Sequence, residues 1–183
     1  MSIIRLSLIW ASASWKNTIA NLIKEEYWFV TPDHFTTRAR RTSENADDHY
    51  IYISQELFIS KIINKELNIF TYLEWVFYWY SDSDKSDTKI LYIIDPSGMP
   101  RLEKLCLENK DQLISIFLDV SDDLRVKRAK KRWWDAKLLE NRAYMDNYLT
   151  VLGKKYSQYT IESVEWPGNT FSKVKALLDI LLK

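Results

Sequence analysis

Apolar residues recur along this chain with two periods that alternate. Continuous apolar runs, typical of strands buried on both faces, occur at residues 3–9, 89–94 and 113–118. Shorter strand patterns occur at 28–31 and 159–164. Apolar residues have helical spacing at 19–26, 100–110, 122–132, 137–152 and 171–183. Strands that alternate with helices predict an α/β fold, with a parallel sheet covered by helices on both faces.

A central block, residues 35–87, interrupts this rhythm. It holds a short strand pattern at 50–53, a helix at 55–65 that Ser54 should cap, and a polar run at 81–87. Residues 69–80 are rich in aromatic side chains and are expected to form a strand that contains Glu74. The sequence therefore predicts one domain, residues 1–183, with a core of 1–34 and 88–183 and an inserted subdomain at 35–87.

Composition excludes several classes of protein. The chain has 183 residues and a net charge of +1, so it has no global attraction to nucleic acid or anionic membranes. A lone cysteine, Cys106, rules out an internal disulfide and favours a cytoplasmic setting. The apolar N-terminal run is shorter than a signal peptide's core, and no apolar run approaches the length of a membrane span. We expect small-molecule partners, and a monomer or homodimer.

Glycine is scarce and tryptophan is abundant, with 3 glycines against 8 tryptophans. Average usage of about 7% would give roughly 13 glycines in a chain of this length. Several tryptophans fall at turn-like points, where glycine is ordinarily needed: Trp10, Trp15, Trp28, Trp79, Trp133 and Trp134. We interpret many of them as glycines written as tryptophan. This happens when a gene that reads the UGA codon as glycine is translated with a table that assigns UGA to tryptophan. Engineering and real decay of the site are the alternatives.

The stretch I-W-A-S-A-S-W-K-N-T, residues 9–18, lies between the first strand pattern and the first helix pattern. A strand, a tight loop, a lysine, a hydroxyl residue and a helix form the frame of a phosphate-binding P-loop, G-x-x-x-x-G-K-[ST]. Trp10 and Trp15 stand where the two glycines belong, and Lys16 and Thr18 supply the lysine and a hydroxyl. Taken alone, these residues fit an ordinary buried strand and helix equally well.

Beyond this frame, the order of motifs resembles the guanylate kinase family over nearly the whole chain. After the loop come T-T-R-x-x-R at 36–41, the stretch H-Y-I-Y-I-S at 49–54 after Glu44, and the pair Glu74–Trp75. A tyrosine-rich strand, an I-I-D that ends at Asp95, and three arginines follow in family order: Arg128, Arg132 and Arg142. The resemblance implies transfer of a phosphoryl group from ATP to GMP, with Mg²⁺ as cofactor and a basic lid at about 128–145.

The resemblance also implies a role for each motif. The ATP-binding residues would be Trp10, Ala11, Ser12, Ala13, Ser14, Trp15, Lys16, Asn17 and Thr18. The GMP site would contain Thr36, Arg38, Arg41, Tyr50, Glu74, Tyr78, Tyr80, Ser81 and Asp95, with one of the two tyrosines 78 and 80 on the phosphate. Glu74 would accept from the guanine N1–H and amino group. Lys16, Arg38, Arg128, Arg132 and Arg142 would be catalytic, and Thr18 and Asp95 would serve the magnesium ion.

The chain departs from the family pattern at several of these points. The loop glycines are Trp10, Ala13 and Trp15, and the lid's arginine–glycine is Arg132–Trp133. His34 or Phe35 replaces the hydroxyl near the guanine site, and we interpret His34 and His49 as turn residues. Two other functions stay open: a non-catalytic phosphopeptide-binding module of the same fold, and a sibling kinase that acts on a phosphorylated sugar.

Overall fold

The computed structural model describes residues 2–10, 14–40, 50–64, 66–67, 69–73, 75–81, 88–131 and 136–183, apart from the side chains of 73, 129, 131 and 136–144. Eight strands lie in the described parts: β1 (Ile4–Trp10), β2 (His34–Thr36), β3 (Tyr50–Tyr52), β4 (Ile69–Leu73), β5 (Val76–Tyr80), β6 (Lys89–Ile94), β7 (Gln112–Asp119) and β8 (Tyr159–Glu162). Six helices accompany them: α1 (Lys16–Tyr27), α2 (Gln55–Ile63), α3 (Met99–Asn109), α4 (Asp122–Lys131), α5 (Ala136–Tyr156) and α6 (Pro167–Leu181). A 3-10 turn, Pro96–Gly98, precedes α3.

The core is a parallel sheet in the order β6-β1-β7-β8. Val30 adds one parallel bridge to Ile90 at the outer edge of β6, where a strand was expected at 28–31. The chain therefore crosses the sheet in the order of an α/β fold with helices on both faces, as the alternating sequence pattern predicts.

Two apolar layers hold the helices against this sheet. On one face, Leu6 and Leu8 of β1 pack with Ile19 and Ile23 of α1 and with Val174 of α6. On the other face, the buried side chains belong to β1, β6, β7 and α3: Ile9, Tyr92, Leu102, Cys106 and Phe117. Because side chains of a strand point alternately to opposite faces, β1 contributes to both layers. The apolar runs at 3–9, 89–94 and 113–118 are thus buried on both faces, as expected.

A second sheet, in the order β3-β2-β5-β4, is built from residues 34–80. β2 pairs parallel with β3, and β5 pairs antiparallel with both β2 and β4. One of its faces is apolar: Phe58 of α2 stacks on Phe77 with ring centres 4.1 Å apart, and Trp79 stacks on Phe35 at 4.7 Å. The opposite face carries a histidine and tyrosines, which are described with the site below.

Three local expectations were wrong. Residues 69–80 form a hairpin of two strands rather than one strand, because the chain turns at Trp75, whose φ is 67°. His34 begins strand β2 and is not a turn residue. Trp79 lies inside β5 with only 1% of its surface exposed, so it does not occupy a turn. By contrast, Ser54 caps α2 as expected, since its hydroxyl accepts from the Leu57 N–H at 3.2 Å.

A buried ion pair, which the sequence analysis did not predict, joins β1 to the residue that precedes β7. Arg5 of β1 donates from Nε to Asp111 Oδ2 at 2.6 Å and contacts the Tyr92 hydroxyl, and both charged side chains are about 5% exposed or less. The second Asp111 oxygen accepts from the Ile3 N–H. Burial raises the pKa of the neighbouring Cys106 thiol to about 11, so this cysteine stays protonated at neutral pH.

Within the described part of the chain, no helix is long and apolar enough to cross a membrane.

Candidate functional site

The loop between β1 and α1 ends in a left-handed residue. Trp15 precedes α1 with φ 66° and ψ 18°, and its carbonyl accepts the Ile19 N–H at 3.0 Å. Lys16 and Asn17 begin the helix, so their backbone N–H groups lie at its positive end, where anions bind favourably. This is the backbone geometry that a P-loop needs before its lysine, and here a tryptophan adopts it.

The Trp10 indole lies against the lysine of this loop. Lys16 Nζ lies 3.9 Å from the centre of the Trp10 ring, which is a cation–π contact. Neither Trp10 nor Trp15 has a hydrogen-bond partner for its buried indole N–H among the described residues. The tryptophans therefore pack into the site without satisfying their own polar atoms.

Arg128 of α4 packs against Trp15, the last residue of the loop. Its guanidinium lies 5.0 Å from the Trp15 ring centre, donates to Ser163 Oγ at 3.3 Å and donates to the Val164 carbonyl. Ser163 in turn donates to the Ser14 carbonyl at 3.3 Å, so β8's end and the loop are joined. Arg128 is 8% exposed, and the Trp15 ring lies against its guanidinium.

The second sheet presents one aromatic, polar face. His34 stacks on Tyr80 with ring centres 4.1 Å apart and packs against Tyr50 at 4.4 Å. Tyr78 lies 6.1 Å from both His34 and Tyr50. These side chains share a face because paired strands align His34 with Tyr50 and with Tyr80. Sequence reasoning selected the tyrosines and missed His34; its period-2 spacing from Thr36 was the available signal.

Arg38 stands at the end of this aromatic face. Its guanidinium carbon lies 4.9 Å from the Tyr50 ring centre and 5.4 Å from that of Tyr52, while Arg40 lies over Tyr52 alone, at 4.9 Å. The buried Thr36 helps to place this turn, because its Oγ1 accepts the Arg38 N–H and donates to the Phe77 carbonyl. The Arg38 cation therefore lies over the tyrosine rings of this face.

The two tyrosines that the sequence left undecided differ in their surroundings. The Tyr80 hydroxyl donates to the Ile93 carbonyl at 2.7 Å and accepts the Ile93 N–H at 3.0 Å. Burial raises its pKa well above the usual value. Tyr78 is only half-buried and lies beside Tyr50. Tyr80 thus joins the second sheet to β6.

A cleft separates the aromatic face from helix α1. Its lining includes the polar side chains of α1 that recur at helical spacing, together with residues of both sheets: Asn17, Asn21, Lys24, Thr31, His34, Tyr50, Tyr80 and Ile93. Asn17 is the neighbour of Lys16, so the start of α1 and Tyr50 face the same cleft. The motif analysis did not select Asn21, Lys24 or Thr31, which belong to no phosphate motif.

Asp95 ends β6 at the carboxyl edge of the core sheet, where ligands of α/β folds bind. Its Oδ1 accepts the Ser97 N–H at 2.7 Å, while its buried Oδ2 has no partner among the described residues. Burial raises the pKa of this carboxyl, and the bonds from Ser97 oppose the rise. An orphaned carboxylate oxygen at this edge is suited to a cation.

The remaining site residues of the sequence analysis divide into two groups. Thr18 is exposed on the first turn of α1, and Ser81 follows β5 with its N–H donated to the Asp33 carbonyl at 2.9 Å. The others lie outside the described residues, or only their backbone is described: Ala11, Ser12, Ala13, Arg41, Glu74, Arg132 and Arg142. Their roles stay predictions.

The chain is an α/β domain with a parallel sheet flanked by helices, and a solved kinase structure shares this fold. A solved structure of guanylate kinase from Anaplasma phagocytophilum superposes with a TM-score of 0.67 at 21% identity, covering 98% of this chain and 85% of that one. A uridine kinase from Macrococcus caseolyticus (strain JCSC5402) is 27% identical over 142 residues, which is 75% of this chain and 66% of that protein. No family model matches the chain.

Proposed function

We propose that this protein is a nucleoside monophosphate kinase that transfers the γ-phosphoryl group of ATP to GMP. The observation that carries the proposal is the cleft between the start of α1 and the face that holds Arg38, Tyr50 and Tyr78. The start of α1, where Lys16 precedes the cleft residue Asn17, would bind the donor phosphates, and Arg38 over the ring of the cleft residue Tyr50 would bind the acceptor phosphate. A kinase that transfers a phosphoryl group between two nucleotides needs both.

On the donor side, the N-terminus of α1 and Lys16 would hold the β- and γ-phosphates of ATP. On the acceptor side, Arg38 with Arg41, Tyr50 and Tyr78 would hold the monophosphate, and Glu74 would select guanine. Tyr80 is left out of the phosphate site because its hydroxyl is bonded to the main chain of β6.

The reaction needs positioning and charge stabilisation rather than a covalent enzyme intermediate. A phosphate oxygen of GMP attacks the γ-phosphorus of ATP, the bond from that phosphorus to the β,γ-bridging oxygen breaks, and ADP leaves. Arg132 and Arg142 are proposed to close over the group in transfer.

The residues fit a magnesium ion. Among the described side chains, no three His, Cys, Asp or Glu groups converge as a metal site, so the nucleotide's phosphates would complete the coordination. Asp95 Oδ2 and Thr18 would hold the ion or its water ligands. When bound, Mg²⁺ neutralises charge on the phosphate oxygens.

A second candidate is phosphorylation of an unphosphorylated nucleoside, which the similarity to a uridine kinase favours. Such a kinase would have no use for a cation that binds the acceptor's phosphate. Arg38 on the aromatic face therefore favours a monophosphate acceptor.

The test is an ATP-dependent transfer assay with GMP, UMP and uridine as acceptors, run on the chain as written and on its Trp10→Gly, Trp15→Gly form. We expect transfer to GMP, at least about tenfold loss of kcat/KM for GMP in Arg38→Ala, and little change in Arg40→Ala, whose guanidinium lies over the Tyr52 ring. Transfer to uridine that Arg38→Ala leaves intact would overturn the proposal. Tight binding of a phosphopeptide without any transfer would favour the binding-module alternative.

A further inference from the structure

The left-handed region of backbone conformation is occupied by tryptophan in this protein. Among the described residues, four that are not glycine have a positive φ: Trp15, Trp28, Trp75 and Lys110. None of the three glycines has one. Tryptophan accounts for only 8 of 183 residues, yet it supplies three of these four positions. Glycine is the residue that reaches this region without steric cost.

Trp28 stands at the end of a helix in the place where glycine is most common. It follows α1 with φ 61° and ψ 34°, and its N–H donates to the Lys24 carbonyl at 3.0 Å. This is the left-handed helix cap in which the residue after the helix is usually glycine. The indole is 83% exposed, so packing contributes little to offset the strained backbone.

Trp75 stands in the turn of the β4–β5 hairpin. Leu73 pairs with Val76, so the connection is only two residues long, and Trp75 is its second residue with φ 67°. Two-residue hairpin turns favour glycine at that position. Its indole is 81% exposed.

Trp15 stands directly before the lysine of the phosphate loop with φ 66°. A tryptophan there has to bury an indole N–H that finds no partner among the described residues. Glycine would adopt the same backbone and leave no polar atom unsatisfied.

Trp79 is different. It lies in β5, outside the left-handed set, and its side chain is 1% exposed and packs between Phe35 at 4.7 Å and Phe58 at 4.8 Å. A glycine in this place would leave a large cavity in the apolar face of the second sheet. Lys110, the fourth left-handed residue, caps α3 and is not a tryptophan. A positive φ alone therefore does not identify a glycine position.

We propose that the natural polypeptide carries glycine at positions 15, 28 and 75 and a true tryptophan at position 79. Three observations support this assignment: glycine is scarce, the backbone at 15, 28 and 75 is left-handed, and none of the three indoles is well accommodated. Those of Trp28 and Trp75 are exposed, and that of Trp15 buries an N–H with no partner among the described residues. Relative to composition alone, the structure adds position 75 and removes position 79. A gene that reads the UGA codon as glycine, translated with a table that assigns UGA to tryptophan, accounts for the pattern.

Glycine at position 15 has a consequence for Arg128, and this step rests on the proposed function. The Trp15 ring lies 5.0 Å from the Arg128 guanidinium, which is 8% exposed. Without the ring, the guanidinium would border the phosphate loop while its bonds to Ser163 and Val164 still hold it. Arg128 would then face the donor nucleotide.

Peptide mass spectrometry on the protein purified from cells that carry its gene tests the proposal directly. Tryptic peptides 6–16 and 25–38 contain positions 15 and 28, and peptide 66–85 contains both 75 and 79, which fragment ions separate. Glycine masses at 15, 28 and 75 with a tryptophan mass at 79 support the proposal. Tryptophan at any of the first three positions, or glycine at 79, overturns it. Neither outcome depends on catalytic activity.

Thermal unfolding of the chain as written gives a second, independent test. Glycine and alanine are each placed at Trp28 and at Trp75, with Leu107, an 81% exposed residue inside α3, as the matched control. We expect glycine to melt about 2–4 °C above alanine at 28 and 75, and below alanine at 107. Alanine equal to or above glycine at both tryptophan positions would overturn the claim that they are glycine positions, whether or not the kinase proposal holds.

Discussion

Lys16 Nζ lies 3.9 Å from the centre of the Trp10 ring, at the start of α1. The ammonium group therefore has an aromatic partner within the chain itself. A nucleotide would have to displace this contact and share the space of two indoles. We therefore expect the chain as written to bind a donor nucleotide weakly.

Replacing Trp10 and Trp15 together by glycine should tighten binding of a non-hydrolysable ATP analogue at least about tenfold, which corresponds to about 1.4 kcal/mol. The change releases Lys16 from the ring and allows the loop's N–H groups to face phosphate. Titration calorimetry on both forms measures the difference. GMP affinity is the internal control, because the Arg38–Tyr50 contact is untouched. Equal affinity for the analogue in both forms would mean that this loop is not a phosphate site.

A double-mutant cycle can separate the proposed role of Arg128 in nucleotide binding from its role in packing. In the chain as written, Arg128→Lys should lower the free energy of unfolding by about 1–3 kcal/mol, because a single ammonium nitrogen cannot replace the two guanidinium nitrogens that bond buried Ser163 and the half-buried Val164 carbonyl. It should leave affinity for the ATP analogue unchanged, since the Trp15 ring covers the guanidinium.

In the Trp15→Gly background, the same Arg128→Lys change should weaken ATP-analogue binding about tenfold or more. Calorimetry on the four proteins of the cycle gives the coupling. A loss of equal size in both backgrounds would show that Trp15 does not shield the arginine.

The order of elements in the core could be predicted from the sequence, because buried strands and amphipathic helices leave their period in the positions of apolar residues. The runs at 3–9, 89–94 and 113–118 became β1, β6 and β7 with small shifts at their ends. The hairpin at residues 69–80 could not be predicted: its turn holds Trp75, which has none of the chemistry that marks a turn. A glycine there would have signalled it.

The motifs of the candidate site can be selected from the sequence, but their geometry cannot. The spacing of Arg38 and Tyr50 gave no distance between them, yet the parallel pairing of β2 and β3 brings the ring and the guanidinium to 4.9 Å. Whether Tyr80 turns its hydroxyl to a ligand or to the main chain depends on a contact with Ile93 across two sheets. Such contacts between distant segments leave no local pattern.

Removing one partner of the buried pair of Arg5 and Asp111 should destabilise the fold strongly. Asp111→Asn leaves an uncompensated guanidinium at about 5% exposure and should cost about 3–5 kcal/mol of unfolding free energy in urea. Lys104→Gln, which breaks the exposed pair with Glu108 at 3.7 Å, should change it by less than about 0.5 kcal/mol. Equal effects of the two changes would show that the buried pair is solvated in solution.

We expect the ionised Asp95 carboxylate to lower the stability of the fold at neutral pH and to serve the proposed reaction. Burial raises its pKa in the folded protein above the value of about 3.9 of an unfolded chain. The folded state therefore holds this proton more tightly, and the resulting stabilisation is present at low pH and lost as pH rises through the folded pKa.

Asp95→Asn should accordingly be more stable than the parent at pH 7 and should lose this advantage as the pH falls below the folded pKa of Asp95. Oδ1 of the asparagine can still accept the Ser97 N–H, so the turn before α3 stays closed. Urea unfolding at a series of pH values measures the difference. In the Trp10→Gly, Trp15→Gly background the same change should lower the rate of transfer to GMP about 10–100-fold, because an amide holds a magnesium ion less well than a carboxylate. Stability that is lower at pH 7, with transfer unchanged, would mean that Asp95 supports the fold and not the reaction.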